Sequence, residues 1–203
     1  LCGMKVAILT PTFSKFSGPD RVVLNEATDL AAAGKEVTIF AFKTDFDTQQ
    51  LQKGIKVEIF GIPRQPLLER IYRLLFFLDI GKVNKIVNRL QQFDEAISFL
   101  YPMTLPAMLT KKRTGQRLKY VYYDVGVAYP QLFDSFFERA YMKIFGVFTK
   151  MTVKNADAAI SISKFCSQEL KKETGLDSTV KYVKIDAKRF NKDTAAKYKK
   201  EAA

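Results

Sequence analysis

Residues 5–42, "KVAILTPTFSKFSGPDRVVLNEATDLAAAGKEVTIFAF", carry the reading on which the fold turns. Lys5 to Leu9 is a short run rich in β-branched residues, and Glu36 to Phe42 is another. Between them Val23, Ala27, Leu30 and Ala31 recur at helical spacing, and Gly34 supplies a C-terminal stop. Ser17 or Gly18 suits the N-cap, Pro19 the first helical position, and Asp20 complements the positive end of the helix dipole. Strand, loop, helix and strand within about forty residues is the length of a βαβ crossover. Ligands of such units sit outside the carboxyl ends of the strands, beside the helix N-terminus. The same residues also make an ordinary capped helix start, so both readings stand open. No G-x-G-x-x-G occurs, which disfavours a dehydrogenase.

The alternation continues down the chain. Ile55 to Ile62 reads as a third strand, closed by Pro63 and Pro66. From Leu67 to Phe93, apolar residues at helical spacing predict one bent helix or a pair, interrupted at Gly81. Strands are expected at Ala96 to Leu100, Lys119 to Tyr123, Ala158 to Ile162 and Val180 to Ile185. Helices are expected from Tyr101-Pro102 through Leu109, over Asp134 to Lys154, and over Ser163 to Thr174. This pattern predicts an α/β fold with a doubly wound, mostly parallel Rossmann-like sheet and helices on both faces. Residues 1–190 form the domain. The Lys-rich stretch 191–203, "NKDTAAKYKKEAA", has almost no apolar face and reads as a linker or tail toward a further domain.

Composition narrows the chemistry. Among 203 residues, 33 Lys and Arg stand against 21 Asp and Glu, a net charge of +12 that favours polyanionic partners. The chain has no His, so a His-based triad, relay or zinc site is excluded. Cys2 and Cys166 stand far apart in no metal-ligand spacing, which fits a reduced cytoplasmic setting. Cys166 reads as a small packed side chain. Leu1-Cys2-Gly3 ahead of Met4 lacks the charged and apolar regions of a signal peptide. No apolar run reaches the roughly 18 residues that span a bilayer.

The basic residues fall in two groups. Arg64, Arg70, Arg73, Lys82, Lys85 and Arg89 flank apolar positions, and "LLFFL" from Leu74 to Leu78 is apolar on more positions than one buried face needs. Lys111, Lys112 and Arg113, with Arg117 and Lys119, make a second cluster. An amphipathic basic helix either packs on the sheet with solvated charges outside or lies on an anionic membrane. On the second reading the membrane-facing residues are Arg70, Arg73, Phe76, Phe77, Lys111, Lys112 and Arg113. Nucleic acid is disfavoured, because no RNP-like, KH-like or zinc motif is present.

Three segments together resemble family 4 (group 1) glycosyltransferases. In "SGPDRVVLNEATDLAAAGKEVTIFAF", Gly18, Arg21, Gly34, Glu36 and Val37 match the first loop, helix and second strand of that family. Pro19 replaces the usual second Gly and Lys35 the usual His. "NADAAISISKFCSQEL" is similar to the family's later strand and helix through Ala156, Asp157, Ser163 and Leu170. "VKYVKIDAKRF" falls in register through Val180, Ile185, Asp186, Arg189 and Phe190, with Tyr182, Val183 and Lys184 replacing a Pro-Asn-Gly.

The resemblance implies the N-terminal, acceptor-binding half of a GT-B enzyme, two Rossmann-like domains facing a cleft. A C-terminal domain of the same chain, expected to hold most of the nucleotide-sugar site, is missing from these residues. The family transfers a sugar from a nucleotide donor without a bound metal. This implies no cofactor held by the domain alone, a nucleotide-sugar donor, and a glycan or lipid-linked acceptor. The loop Ser17, Gly18, Pro19 and Asp20 is expected to face substrate or donor phosphate, and Arg21 and Ser163 to line the acceptor cleft. Asp124, closing the fifth strand in "YVYYDVG", stands where the family carries a His that touches the donor sugar. An ionised Asp accepts hydrogen bonds but cannot donate them, and it equally suits the start of a loop. Ser163 also suits a helix N-cap, and Arg21 a solvated face. The expected activity is a retaining hexosyl transfer to a membrane-associated lipid-linked or phosphorylated glycan, with the domain alone inactive and peripheral on the cytoplasmic membrane face. The alternative is a stand-alone Rossmann-like binding module without catalysis.

Overall fold

The computed structural model describes residues 3–15, 17–47, 51–115, 117–126 and 129–183. The first βαβ unit forms as the sequence predicts: β1 (Lys5–Leu9), α1 (Gly18–Ala32) and β3 (Glu36–Ala41). Two short strands, β2 (Thr12–Phe13) and β4 (Lys43–Thr44), pair in parallel just beyond β1 and β3. β5 (Ile55–Ile59), β6 (Glu95–Ser98), β7 (Lys119–Asp124), β8 (Ala158–Ser161) and β9 (Ser178–Val180) complete the strands. The main sheet has seven strands in the order β5-β3-β1-β6-β7-β8-β9, every neighbouring pair parallel. The order reverses between β1 and β6. In an open α/β sheet that crevice, at the carboxyl ends, is where ligands bind.

Pleating divides the core. Val6, Ile8, Ile39, Ile97, Val121 and Tyr123 point to one face and pack with Val22, Val23 and Ala27 of α1. The opposite face carries Ala7, Leu9, Phe40, Ala96 and Tyr120, covered by α3 (Ile80–Leu90) and α4 (Thr104–Arg113). Further along that face α5 (Phe136–Val153) and α6 (Lys164–Thr174) bury Tyr122 and Ala159 through Val153 and Leu170.

The 67–93 region breaks before the expected Gly81. α2 (Pro66–Leu74) is followed by a 3-10 turn at Phe76–Leu78, and α3 restarts at Ile80. Asp79 causes the break: its carboxylate caps α3 by accepting from the Lys82 amide at 2.9 Å and also accepts the Tyr72 hydroxyl at 2.6 Å. Gly81 lies inside the first turn of α3. α4 runs from Thr104 rather than Pro102 and extends to Arg113, so Lys111, Lys112 and Arg113 form its last turn, where cations complement the helix dipole. β9 begins and ends earlier than expected. Ile185, Asp186, Arg189, Phe190 and the 191–203 stretch lie outside the described residues.

Several membrane-facing expectations are corrected here. Phe76 is fully buried, with its ring centroid 5.0 Å from Phe42 and 6.0 Å from Tyr72. The turn at 76–78 rotates Phe76 inward and leaves Phe77 exposed, a distinction that a run of consecutive apolar residues cannot encode. Lys111 is buried on α4, where it donates to the Asp157 carboxylate and, at 2.9 Å, to the Asn155 carbonyl. Arg73 is held against Glu69 and is mostly covered. Arg70, Phe77, Lys112 and Arg113 remain exposed. α2 starts at the carboxyl edge of the sheet and α4 ends at the amino edge, so the two basic clusters do not share one face.

Candidate functional site

The loop after β1 is built by hydrogen bonds to carboxylates. Ser17 is extended at φ −89° and its hydroxyl accepts from the Asp20 amide, capping α1 with Pro19 in the first turn. The Asp20 side chain turns inward: it is buried and accepts from the Ser14 amide at 2.9 Å and the Thr12 hydroxyl at 3.4 Å. Burial pushes its carboxyl up, and the bonds from Ser14, Ser17 and Thr12 offset part of that rise. Asp20 is therefore a fastening of the loop and does not face outward as expected. Asp45, arriving from just after β4, accepts from the Lys15 amide at 2.8 Å and the Ser14 hydroxyl at 3.0 Å. The Lys15 bond holds its carboxyl below the usual range.

Gly18 has an ordinary φ, and a Cβ there would meet no atom within 4 Å. Neither dihedral nor packing requires glycine at that position, so the space in front of it is free. Arg21 is exposed on the first turn of α1.

Asp124 closes β7 at the same edge. It is buried, with Oδ1 accepting from the Gly126 amide at 3.1 Å and Oδ2 from the Ser161 hydroxyl at 3.3 Å. Ser161 continues through Ser178 at 2.8 Å to Ser167 at 2.9 Å, a hydroxyl chain linking β8, β9 and α6. Burial raises the Asp124 carboxyl above the ordinary carboxylate range, against the lowering effect of those two bonds. Ser163 caps α6, its hydroxyl accepting from the Cys166 amide at 3.1 Å, and Cys166 is buried as expected.

Two cavities open beside these residues. One, of about 470 Å³, has Tyr122 and Asp124 on its sheet side and Phe145, Thr149 and Lys150 of α5 and Glu173 of α6 among its helical walls. The second, of about 480 Å³, lies off β3 and β5 between α2 and α5, lined by Lys43, Arg64, Glu69, Arg70, Arg73 and Tyr141. Met142 of α5 lines both, so the cavities are neighbours.

Asp124 lines the first cavity, the Gly18 loop stands at the β1 end of the same edge, and Ser163 and Arg21 line neither cavity. Lys43 and Tyr141 escape sequence reasoning because they reach the second cavity from segments far apart in the chain. Among the described residues no group of three or more His, Cys, Asp or Glu is placed to hold a metal. No helix among them is long and apolar enough to cross a membrane.

Comparison with curated protein sequences gives no match. Solved structures match over almost the whole chain at low identity. HepE from Anabaena, solved with UDP and glucose, aligns with a TM-score of 0.61 at 18% identity over 98% of this chain and 50% of its own. WaaG, a glycosyltransferase involved in lipopolysaccharide biosynthesis, aligns at 0.57 and 12% identity over 86% and 44%. Sucrose-phosphate synthase from Thermosynechococcus elongatus aligns at 0.67 and 16% identity over 97% and 52%. The chain thus spans about half the length of these GT-B proteins, and the likeness establishes the shared fold of that half. The Glycosyltransferase Family 4 profile matches residues 16–184, from the loop before α1 to just past β9. On that match the chain belongs to Glycosyltransferase Family 4.

Proposed function

We propose that these residues form the acceptor-binding half of a nucleotide-sugar-dependent enzyme that transfers a hexose, with retention, to a membrane-associated glycan or phosphorylated acceptor. The observation that carries the reading is the arrangement at the carboxyl edge of a family 4 sheet. There an unobstructed glycine at the start of α1 shares the edge with a cavity on which a buried carboxylate, Asp124, opens.

In the transfer, an acceptor hydroxyl bonds to the anomeric carbon of the donor sugar. The bond from that carbon to the diphosphate breaks, the nucleoside diphosphate leaves, and the proton of the acceptor hydroxyl passes to a phosphate oxygen of the leaving group. The residues of this half position the reactants. Gly18 leaves room for close backbone approach by the sugar-bearing end of the donor. Asp124, fixed by Gly126 and Ser161, orients a sugar hydroxyl at the mouth of the cavity. Most of the electrostatic stabilisation of the leaving diphosphate falls to the other half, so this half alone does not turn over.

Membrane contact is proposed through α2 and the start of α5. Arg70 of α2 pairs with Glu138 of α5 at 3.2 Å, which brings the start of α5 beside α2. Phe136 and Phe137 are 75% and 81% exposed, and Leu67, Leu78 and Phe77 are exposed as well.

The reading is tested by assaying the polypeptide that joins this half to its donor-binding half with a panel of nucleotide sugars. Asp124→Ala is expected to lower kcat/KM by at least about tenfold with little change in fold, as loss of a positioning hydrogen bond does. Unchanged kcat/KM in a folded Asp124→Ala enzyme would remove Asp124 from the site. Robust transfer by the 203-residue chain alone would contradict the division of labour.

A further inference from the structure

The cavity between α2 and α5 carries a charge imbalance that the proposed transfer does not use. Four cations, Lys43, Arg64, Arg70 and Arg73, converge on it against two carboxylates, Glu69 and Glu138. Glu69 is shared: it accepts from Lys43 at 2.7 Å and also from Arg73. Burial works to raise the Glu69 carboxyl, but those two cations outweigh it and hold the carboxyl low, so Glu69 stays charged and pins both. Among the described residues Glu138 pairs with Arg70 alone, through an exposed contact that water weakens. Arg64 forms no ion pair among the described residues and is exposed at the rim. Two positive charges are therefore left over in one enclosure of about 480 Å³.

The neutral groups agree with the charges. Tyr141 lines the same cavity; burial pushes its hydroxyl above the ordinary tyrosine value, so it stays a protonated donor, and Arg73 and Arg70 lie near enough to offset part of that rise. A phosphate monoester carries about −1.5 to −2 at neutral pH and accepts several strong hydrogen bonds. Arginine forks match its oxygens two at a time, and a tyrosine hydroxyl adds one more donor.

We propose that this cavity binds a phosphoryl group, with Arg64 and Arg70 as its charge partners and the Tyr141 hydroxyl as a further donor. Resting on the acceptor-binding reading above, this assigns the acceptor a phosphate held apart from the hydroxyl that reacts. The cavity adjoins the Asp124 cavity at Met142, which places the phosphate on the α2 side and the reacting sugar on the β7 side.

The test is binding of glycerol 3-phosphate to the 203-residue chain by titration calorimetry, with no sugar donor present. The wild type is expected to bind, and Arg64→Ala with Arg70→Ala to weaken binding by at least about tenfold, the scale for losing paired charged hydrogen bonds. Both side chains are exposed, so the double variant keeps its fold, and thermal unfolding checks this. Tyr141→Phe is expected to weaken binding by a smaller factor. Lys112→Ala with Arg113→Ala removes two cations at the far edge and is expected to change nothing. No binding by the wild type, or equal losses in both double variants, overturns the proposal.

A second arm separates the sources of the phosphate. Vesicles of phosphatidylcholine with phosphatidic acid are sedimented with the chain, with and without glycerol 3-phosphate. Displacement assigns the cavity to a lipid headgroup, and indifference assigns it to a soluble phosphorylated acceptor. Binding here is read without catalysis. A chain that binds the phosphate as predicted but supports no transfer with its donor half would sink the functional reading and leave the site standing.

Discussion

Two helix starts lie along the carboxyl edge of this sheet, and they differ in what surrounds them. At α1, Ser17 caps the helix, Asp20 folds back onto Ser14 and Thr12, and Asp45 crosses from β4 to hold Lys15. There two cations, Lys15 and Arg21, stand against two carboxylates, Asp20 and Asp45. At α2, Gln65 makes no side-chain cap, and the cations outnumber the carboxylates four to two. The dipole of a helix favours anions at any N-terminus, but it contributes only about 0.3–1 kcal/mol at an exposed site. Side chains brought in by tertiary structure outweigh that, so the fold shifts the anion-binding capacity from the first helix to the second. The start of α1 keeps open space at Gly18 and no surplus charge, which suits close approach by a sugar.

Substitutions at the two helix starts should have unequal effects. The largest effect is expected beside the second helix. Phe76→Ala empties a fully buried aromatic site and should cost about 3–5 kcal/mol in chemical unfolding, the usual range for a core Phe. Phe77→Ala, one residue on, should cost well under half of that. Equal losses would mean that the 3-10 turn does not divide the pair as described.

A smaller loss is expected at the first helix. Asp20→Ala leaves the Ser14 amide without its acceptor inside the loop and should cost about 1–3 kcal/mol. Gly18→Val should leave thermal stability nearly unchanged, since φ there is ordinary and an added Cβ would meet no atom within 4 Å. In the enzyme joined to its donor half, the same change should raise KM for the donor. Collapse of stability with unchanged activity per folded molecule would make the loop purely structural.

The pH dependence of Asp124 gives the smallest effect and the sharpest sign. Its carboxyl titrates higher in the folded chain than in the unfolded one, because burial outweighs the bonds from Gly126 and Ser161. As pH rises, the unfolded chain loses this proton first, so the folded state loses stability between the ordinary carboxylate range and the raised folded value. Asp124→Asn removes the buried charge while an amide can still meet Ser161. The variant should melt a few degrees higher than the wild type at neutral pH, and the gain should vanish in acid. A gain that grows on acidification would reverse the assigned direction.

Much of this molecule was legible in its sequence, for physical reasons that also mark where legibility ends. Alternating strands and helices follow from local periodicity, and the parallel sheet follows from their alternation. The Ser17 and Ser163 caps are local too, each bonding an amide three residues on. The break at Asp79 was misplaced to Gly81 because the deciding contact, the Tyr72 hydroxyl on Asp79, forms across two helices. Lys111 read as a surface charge because Asp157, its partner, lies 46 residues away. The second cavity was hidden for the same reason: Arg64, Arg70 and Arg73 stand out in the chain, but Lys43 and Tyr141 join them only when β4 and α5 pack beside α2.

What divides the two helix starts is phosphate, bound at the second and not at the first. Amide NMR of the 203-residue chain, titrated with glycerol 3-phosphate, reads both places in one experiment. Saturable shifts are expected at Arg64, Arg70 and Tyr141, with the amides of Ser17, Gly18 and Arg21 unmoved. Saturable shifts at Ser17 to Arg21, with Arg64 to Arg70 silent, would contradict that division.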